Sequence, residues 1–164
     1  MNKFIPSSFN PPQTLETDEF RLRMLTINDV VKDYDAVMTS VEHLKGVFGP
    51  NSSWPKDDLT KDDLTFEQNL IDLGWHQKEF QKRSSFTYTV MNLDESQCLG
   101  CVYILPPDNE QYDAMVILWV RKSELPNGLD ERLFSAVQSW ISKEWPFKNV
   151  AYPGRTIAWD KFLN

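Results

Sequence analysis

Seven consecutive apolar residues, Ala114–Val120, constrain the fold of this 164-residue chain more than any other segment. Strands that face solvent on one side alternate polar and apolar side chains, so an uninterrupted apolar run predicts a strand covered on both faces. Layers of structure must therefore lie above and below this strand. A chain of 164 residues can build one such core, and we predict a single domain.

The segments around this run alternate between strand and helix patterns. Residues 20–25 predict a short strand, and Thr26 with Asp29 forms a capping-box pattern before a helix over 27–41. The remaining patterns predict a long loop over 46–63, a helix over 64–83, a hairpin over 85–105, a helix over 128–144 and a last strand over 149–152.

This order of elements predicts an α/β (α+β) fold, in which helices flank both faces of a mixed, mostly antiparallel central sheet. Pro6, Pro11 and Pro12 interrupt the first residues, so we expect an extended arm over 1–14 that lies on the surface. The domain is predicted to span 15–164.

Charge and composition exclude several classes of protein. The chain has 17 Lys and Arg against 24 Asp and Glu, a net charge of −7, so it lacks the basic surface that binding of nucleic acid requires. No apolar run reaches the length of about 18 residues that a membrane span needs, and we expect a cytoplasmic protein without membrane contact. Two cysteines and two histidines are too few for a structural zinc site, and no metal is predicted.

Cys98 and Cys101 fall inside one predicted strand. An offset of three residues in a strand places the two side chains on opposite faces. We therefore predict two packing thiols and no C-x-x-C redox pair.

Two features together resemble a known family: the opening residues and the later order of elements. The residues are Leu15, Glu16, Thr17, Phe20, Arg21, Leu22, Arg23, Leu25, Thr26 and Asp29. Both features are similar to the GCN5-related N-acetyltransferase (GNAT) superfamily, in particular to the branch that acetylates the amino termini of ribosomal proteins. The resemblance covers roughly residues 15–152.

The resemblance implies that acetyl-coenzyme A binds where the strand over 113–120 separates from the last strand. An amine of a small molecule or a peptide would then attack the thioester directly, without a covalent enzyme intermediate. The residues implied for cofactor binding are Leu118, Trp119, Val120, Asn127, Gly128, Leu129 and Asp130.

The implied phosphate-binding loop departs from the family pattern of a basic residue or Gln followed by glycines. Only Gly128 keeps its place, Pro126 lacks an N–H donor, and Asp130 puts a carboxylate near the phosphates. Asp130 also fits a helix-terminal acid that complements the helix dipole and occupies the first amides. If this loop binds the cofactor phosphates, Asp130→Gly is expected to tighten cofactor binding and to destabilise the helix.

The acceptor side departs as well, because Phe162 takes the place of the Tyr that protonates the leaving thiolate in the family. Glu124, Tyr152 and Asp113 are the alternative candidates for an acid or a base. His43 and His76 are interpreted as surface or half-buried helix residues, since no nucleophile or carboxylate motif surrounds them.

Two further expectations concern the surroundings of the acceptor. Trp54 in the long loop is a candidate ligand-facing aromatic, and the acidic run over 57–63 forms either a solvated loop or a rim that attracts a cationic amine. The chain stops at Asn164, before the closing strands of the family, so we expect a homodimer to cover the last strand, or else the tail over 153–164 or the arm over 1–14.

Two functions remain open at this point. The first is an acetyl-coenzyme A-dependent N-acetyltransferase, and the second is a non-catalytic domain of the same fold that binds a ligand or a protein partner.

Overall fold

The computed structural model describes residues 3–164, which form one six-stranded sheet flanked by helices. The strands follow each other across the sheet in chain order: β1 Thr14–Glu16, β2 Phe20–Met24, β3 Phe86–Asn92, β4 Cys98–Leu105, β5 Ala114–Val120 and β6 Val150–Ala151. All neighbours pair antiparallel except β5 and β6, which pair parallel. The predicted mixed, mostly antiparallel sheet is confirmed.

The helices are α1 Val30–Met38, α2 Val41–Leu44, α3 Phe66–Gln81, α4 Leu129–Glu144 and α5 Trp159–Leu163. The predicted helix over 27–41 is divided. Its first turn is a 3-10 turn held by the predicted capping box of Thr26 and Asp29, and α1 ends at Met38. The Thr39 hydroxyl donates to the Asp35 carbonyl at 2.8 Å, a local bond that competes with continued helix.

The two faces of the sheet carry separate apolar layers. The stripe of α4, with Leu133 and Val137, covers one face together with the amino-terminal arm. Helices α1, α2, α3 and α5 cover the other face. All seven residues of β5 are buried between the two layers, as the apolar run predicts.

A β-bulge corrects the prediction for the cysteines. Val90 pairs with Gly100, but its neighbour Met91 pairs with Cys98, so Leu99 is an extra residue in β4. The extra residue reverses the alternation of side chains, and Cys98 and Cys101 both face the layer of α1 and α3. Both are free and buried, as packing thiols are.

Gly100 in this bulge is required by the close approach of β5. A Cβ atom at Gly100 would collide with the carbonyl oxygen of Trp119 across the pair. No other residue type fits without moving one strand.

The amino-terminal arm is more deeply packed than the sequence predicts. Met1 and Asn2 lie outside the described residues, but Ile5 is only 2% exposed and Phe4 stacks on Phe147 with ring centroids 5.2 Å apart. The Arg83 guanidinium donates to the carbonyls of Pro6 at 3.0 Å and Phe9 at 2.6 Å. The prolines thus mark irregular backbone, while apolar side chains between them join the core.

In the stretch from residue 3 to residue 164, every helix is too short or too polar to cross a bilayer.

Candidate functional site

The parallel pair of β5 and β6 is short. Only Ala114 with Val150 and Met115 with Ala151 are in register, so the last five residues of β5 have no strand partner on this side, and we call this place the gap. Leu118, Trp119 and Val120, implied as cofactor-binding residues, lie in this part of β5 and are buried.

The start of α4 lies next to this gap and has no side-chain cap. Gly128, the residue before the helix, has a left-handed backbone with φ of 73°, a conformation that favours glycine. The Arg132 guanidinium donates to the Asn127 carbonyl at 2.7 Å and so holds the turn. The backbone N–H groups of Leu129 and Asp130, in the first turn, therefore donate to no capping side chain.

The Asp130 carboxylate forms an ion pair instead of the predicted cap. Arg155, in the segment between β6 and α5, donates to both Asp130 oxygens at 2.9 Å and to the Leu118 carbonyl at 3.2 Å. Its guanidinium carbon also lies 5.0 Å from the centroid of the Phe134 ring. The expectation that Asp130 occupies the helix amides is wrong, because its carboxylate instead accepts hydrogen bonds from Arg155, which lies 25 residues later in the chain.

The three acid or base candidates lie in different places. Asp113 precedes β5 and Glu124 follows it, so they lie at opposite ends of a seven-residue strand. The backbone amides of Lys148 and Asn149 donate to Asp113 and lower its pKa. Glu124 accepts from the Asn127 side chain at 3.2 Å.

Tyr152 follows β6 directly and lies at the gap. Its ring packs edge-on against Phe134 at 5.3 Å, and burial raises its pKa to about 12. Among residues 3–164 its hydroxyl has no hydrogen-bond partner. At neutral pH the phenol is therefore protonated.

Phe162 is a core residue of α5. It is 0% exposed and packs against Tyr112 and Trp159. A ring in this position fills space and has no proton to donate.

A cavity of about 340 Å³ lies on the opposite face of the sheet from α4. We call it the acidic cavity, since Asp33 from α1, Asp58 from the long loop and Asp72 from α3 all line it. Its remaining walls are largely aromatic and include Trp54, Trp75 and Tyr103. Trp54, the predicted ligand-facing aromatic, lines this cavity, and it also contacts Trp119 of β5 with ring centroids 5.9 Å apart.

Asp33 is the most buried acid of this cavity. It is 4% exposed, and its one hydrogen bond comes from the Asn69 amide of α3 at 2.9 Å. Burial, and then the nearby charges of Asp29 and Asp72, raise its pKa to about 6. Burial and the charges of Asp58 and Asp57 raise the pKa of Asp72 to about 6 as well.

A signal for Asp33 is present in the sequence and was missed. Asp33 follows Val30 by three residues and precedes Val37 by four, so it lies on the apolar stripe of α1. An acid on a buried stripe indicates a functional or paired group. No local pattern points to Asp72, because its place in the cavity depends on packing between α1 and α3.

The two histidines lie as predicted, His43 exposed on α2 and His76 half-buried on α3. His76 of α3 lines the acidic cavity, its Nδ1 lies 3.1 Å from the Thr87 hydroxyl, and burial lowers its pKa to about 4. It is therefore neutral at physiological pH. The Nε2 of His43 lies 3.1 Å from the Val120 carbonyl, which links α2 to the end of β5.

Comparisons with known proteins give likeness in structure alone. No protein-family sequence model matches the chain, and no curated protein matches it. A ribosomal-protein-S5-alanine acetyltransferase from Vibrio fischeri is 18% identical, with a TM-score of 0.63 over 92% of this chain and 79% of that chain.

Two further solved structures contain cofactor in their own complexes. A ribosomal L7/L12 alpha-N-protein acetyltransferase in complex with coenzyme A is 11% identical, with a TM-score of 0.59 over 79% of this chain and 68% of that chain. A microcin C7 self-immunity acetyltransferase in complex with acetyl-CoA and AMP is 12% identical, with a TM-score of 0.58 over 85% of this chain and 72% of that chain.

Identities this low establish a shared fold and leave activity and ligands open. The order of elements is one of the two features on which the resemblance in the sequence depends, and the structure has that order. That resemblance is confirmed at the level of the fold, and the chain has the acyl-coenzyme A N-acyltransferase fold of the GNAT superfamily.

Proposed function

We propose that the chain is an N-acetyltransferase that transfers an acetyl group from acetyl-coenzyme A to a primary amine. The observation that carries this proposal is the gap between β5 and β6, which opens beside the uncapped start of α4. The solved structures of the same fold that hold coenzyme A or acetyl-coenzyme A support the same assignment.

The residues around the gap fit a phosphate-bearing cofactor. Uncapped backbone amides of Leu129 and Asp130 can donate to phosphate oxygens, and the guanidinium of Arg155 adds a cation beside them. Asp130 competes for Arg155, so binding requires that this ion pair opens or shares its cation. Leu118, Trp119 and Val120 would line the acyl arm along β5, and Asn127 and Gly128 would shape the turn.

Tyr152 is the residue that we assign to proton donation. Bound acetyl-coenzyme A would supply a thioester, whose carbonyl carbon is attacked by the amine while the sulfur leaves and takes up a proton. Because Tyr152 lies at the gap and stays protonated, it can donate that proton but cannot serve as the base. Asp113 is held by two amides with a lowered pKa, which makes it a weak base.

The remaining expectations stay part of this proposal. We infer an amine acceptor, no binding of nucleic acid at a net charge of −7, and a cytoplasmic location in keeping with two free buried thiols. A homodimer stays a prediction that rests on β6, a two-residue strand at the edge of the sheet.

One observation favours a second candidate function, a non-catalytic binding domain. Arg155 and Asp130 already bridge the gap through the Leu118 carbonyl, and Phe162 provides no hydroxyl. A protein that never binds cofactor would keep this ion pair permanently.

Calorimetric titration of the chain with acetyl-coenzyme A, followed by assay of free thiol release with an amine panel, tests the two functions. Binding and amine-dependent thiol release are expected. No binding at millimolar cofactor contradicts the enzyme proposal. Tyr152→Phe is expected to lower the turnover number without changing cofactor affinity, which separates a chemical role of Tyr152 from a packing role.

A further inference from the structure

A further cavity, of about 1180 Å³, lies at the amino end of β5. Its walls come from the amino-terminal arm over 3–7, the end of α3 over 82–84, the loop between β4 and β5, and the stretch over 146–148 after α4. Asp113, the residue before β5, belongs to these walls. Because a strand rises about 3.3 Å per residue, the carboxyl end of β5, where the gap lies, is roughly 20 Å away.

The charge of this cavity is opposite in sign to that of the chain. Among the described residues, its walls carry four basic side chains and two acidic ones, whereas the chain has a net charge of −7. The basic residues are Lys3, Lys82, Arg83 and Lys148, and the acidic residues are Glu110 and Asp113. We call this cavity the basic groove.

Most of the positive charge in the basic groove has no carboxylate partner in the described part of the chain. Lys3 and Lys148 are exposed and form no ion pair there. The Arg83 guanidinium donates to two backbone carbonyls of the arm, which are neutral acceptors. Lys82 has a carboxylate beside it, at 3.5 Å. Of the two acids in the walls, Asp113 already accepts hydrogen bonds from two backbone amides.

The other walls of the basic groove are apolar and held in shape. The rings of Phe4 and Phe147 stack with centroids 5.2 Å apart, and the neighbouring Ile5 is buried. Four prolines also line the groove: Pro6, Pro106, Pro107 and Pro146. Proline fixes φ and has no N–H, so these walls vary little in backbone conformation. A preformed groove loses little conformational entropy when a ligand binds.

These features fit an extended acidic peptide segment better than other anions. A volume of about 1180 Å³ exceeds what a small metabolite fills. Nucleic acid would bring a line of phosphates past Glu110 and Asp113 and onto a chain of net charge −7, which repels it. In a peptide, carboxylates can face the lysines while apolar side chains between them contact the aromatic rings.

We propose that the basic groove binds an extended acidic segment of a partner protein. Carboxylates of that segment pair with Lys3 and Lys148, and its apolar side chains pack against Phe4 and Phe147. Charge complementarity carries the inference, since cations without partners are gathered in one groove of an acidic chain. The groove and the gap lie at opposite ends of β5, so the inference does not depend on the acetyltransferase proposal.

Fluorescence anisotropy with a labelled octapeptide of alternating Glu and Leu tests the basic groove. The matched probe alternates Gln and Leu, which keeps the size and the apolar content and removes the charge. The acidic peptide is expected to bind at least about tenfold more tightly at low salt, and its binding is expected to weaken as salt screens the exposed charges. Equal affinities of the two peptides overturn the proposal.

Charge reversal locates the site. Lys3→Glu and Lys148→Glu are each expected to weaken binding of the acidic peptide about fivefold, and the double variant at least about tenfold. Lys122→Glu makes the same change at an exposed lysine just beyond the other end of β5 and is expected to leave binding unchanged. Thermal unfolding checks each variant, and Lys3→Glu decides the result if Lys148→Glu does not fold. Equal weakening by Lys122→Glu overturns the proposal.

A second copy of the chain is an alternative occupant, because the acidic run over 57–63 could enter the groove of a neighbour. Light scattering of the wild type and of the double variant separates the two occupants. The two proteins are expected to have the same oligomeric state, since the groove is assigned to a different protein. An oligomer that the double variant dissociates would assign the groove to a second copy and overturn the proposal.

Discussion

The gap lies at the edge of the sheet beside α4, whereas the acidic cavity lies on the face opposite α4, and the two differ in how their charges are balanced. At the gap, Asp130 is paired with Arg155, and nearby Arg132 is paired with Glu19 at 2.8 Å. In the cavity, Asp33 and Asp72 have no cationic partner among residues 3–164. The acid at the gap is therefore neutralised within the chain, whereas the two acids of the cavity are not.

Asp33→Asn is expected to have the largest effect, an increase in stability at pH 7.5. Folding raises the pKa of Asp33 from 3.8 to about 6. Its favourable contribution to stability is therefore fully present below the pKa of the unfolded chain, and it is lost as the pH rises through the pKa of the folded protein. An ionised Asp33 therefore costs about 3 kcal/mol above pH 7. Asn keeps the bond to Asn69 and removes this cost.

Urea unfolding of the wild type and of Asp33→Asn at pH 7.5 and pH 4 measures the difference. The gain is expected to disappear at pH 4, where Asp33 is protonated in the folded protein. Asp18→Asn is the control at an exposed position and is expected to leave the free energy of unfolding unchanged at both pH values. A variant less stable than the wild type at pH 7.5 would show that Asp33 has a cationic partner within the chain.

Arg155→Gln tests the exchange of partners at the gap. If Arg155 moves from Asp130 to a phosphate, its loss removes about 1.5 to 3 kcal/mol of charge-assisted bonding, or roughly tenfold to hundredfold in coenzyme A affinity. Lys143→Gln removes the same charge at the far end of α4 and is expected to bind normally. Calorimetry with coenzyme A measures both, and tighter binding by Arg155→Gln would show that Arg155 only blocks the gap.

Asp130→Asn is expected to have the smallest effect. It releases Arg155 and should tighten coenzyme A binding about fivefold, while the loss of a partly exposed ion pair costs up to about 1 kcal/mol of stability. Glu131→Gln is the matched control, because it removes an exposed acid from the same helical turn without touching Arg155. Equal gains in both variants would assign the effect to general charge and not to the ion pair.

The elements of the fold could be predicted because their signals are local. The apolar run of β5, the hairpin of β3 and β4 and the stripe of α4 were all predicted to within a few residues. The bulge at Leu99 was missed, because a one-residue slip between two strands leaves no mark in either strand alone.

The candidate sites were predicted less completely, since they are formed by contacts between distant residues. Asp130 was recognised, but its partner Arg155 lies in another segment and no local pattern connects them. The cavity joins Asp33 and Asn69 across 36 residues, and only the position of Asp33 on an apolar stripe could have indicated it. Ile5 was placed on the surface because prolines around it conceal a single buried side chain.

The bulge at Leu99 has a consequence for how the protein can be observed. By turning Cys98 and Cys101 to the same interior layer, it encloses both thiols, and burial raises the pKa of Cys98 to about 12 and that of Cys101 well above its usual range. Alkylating reagents react with the thiolate, so neither cysteine is modified while the sheet is closed. The rate at which the two cysteines are alkylated therefore measures how often the folded protein opens enough to expose its interior.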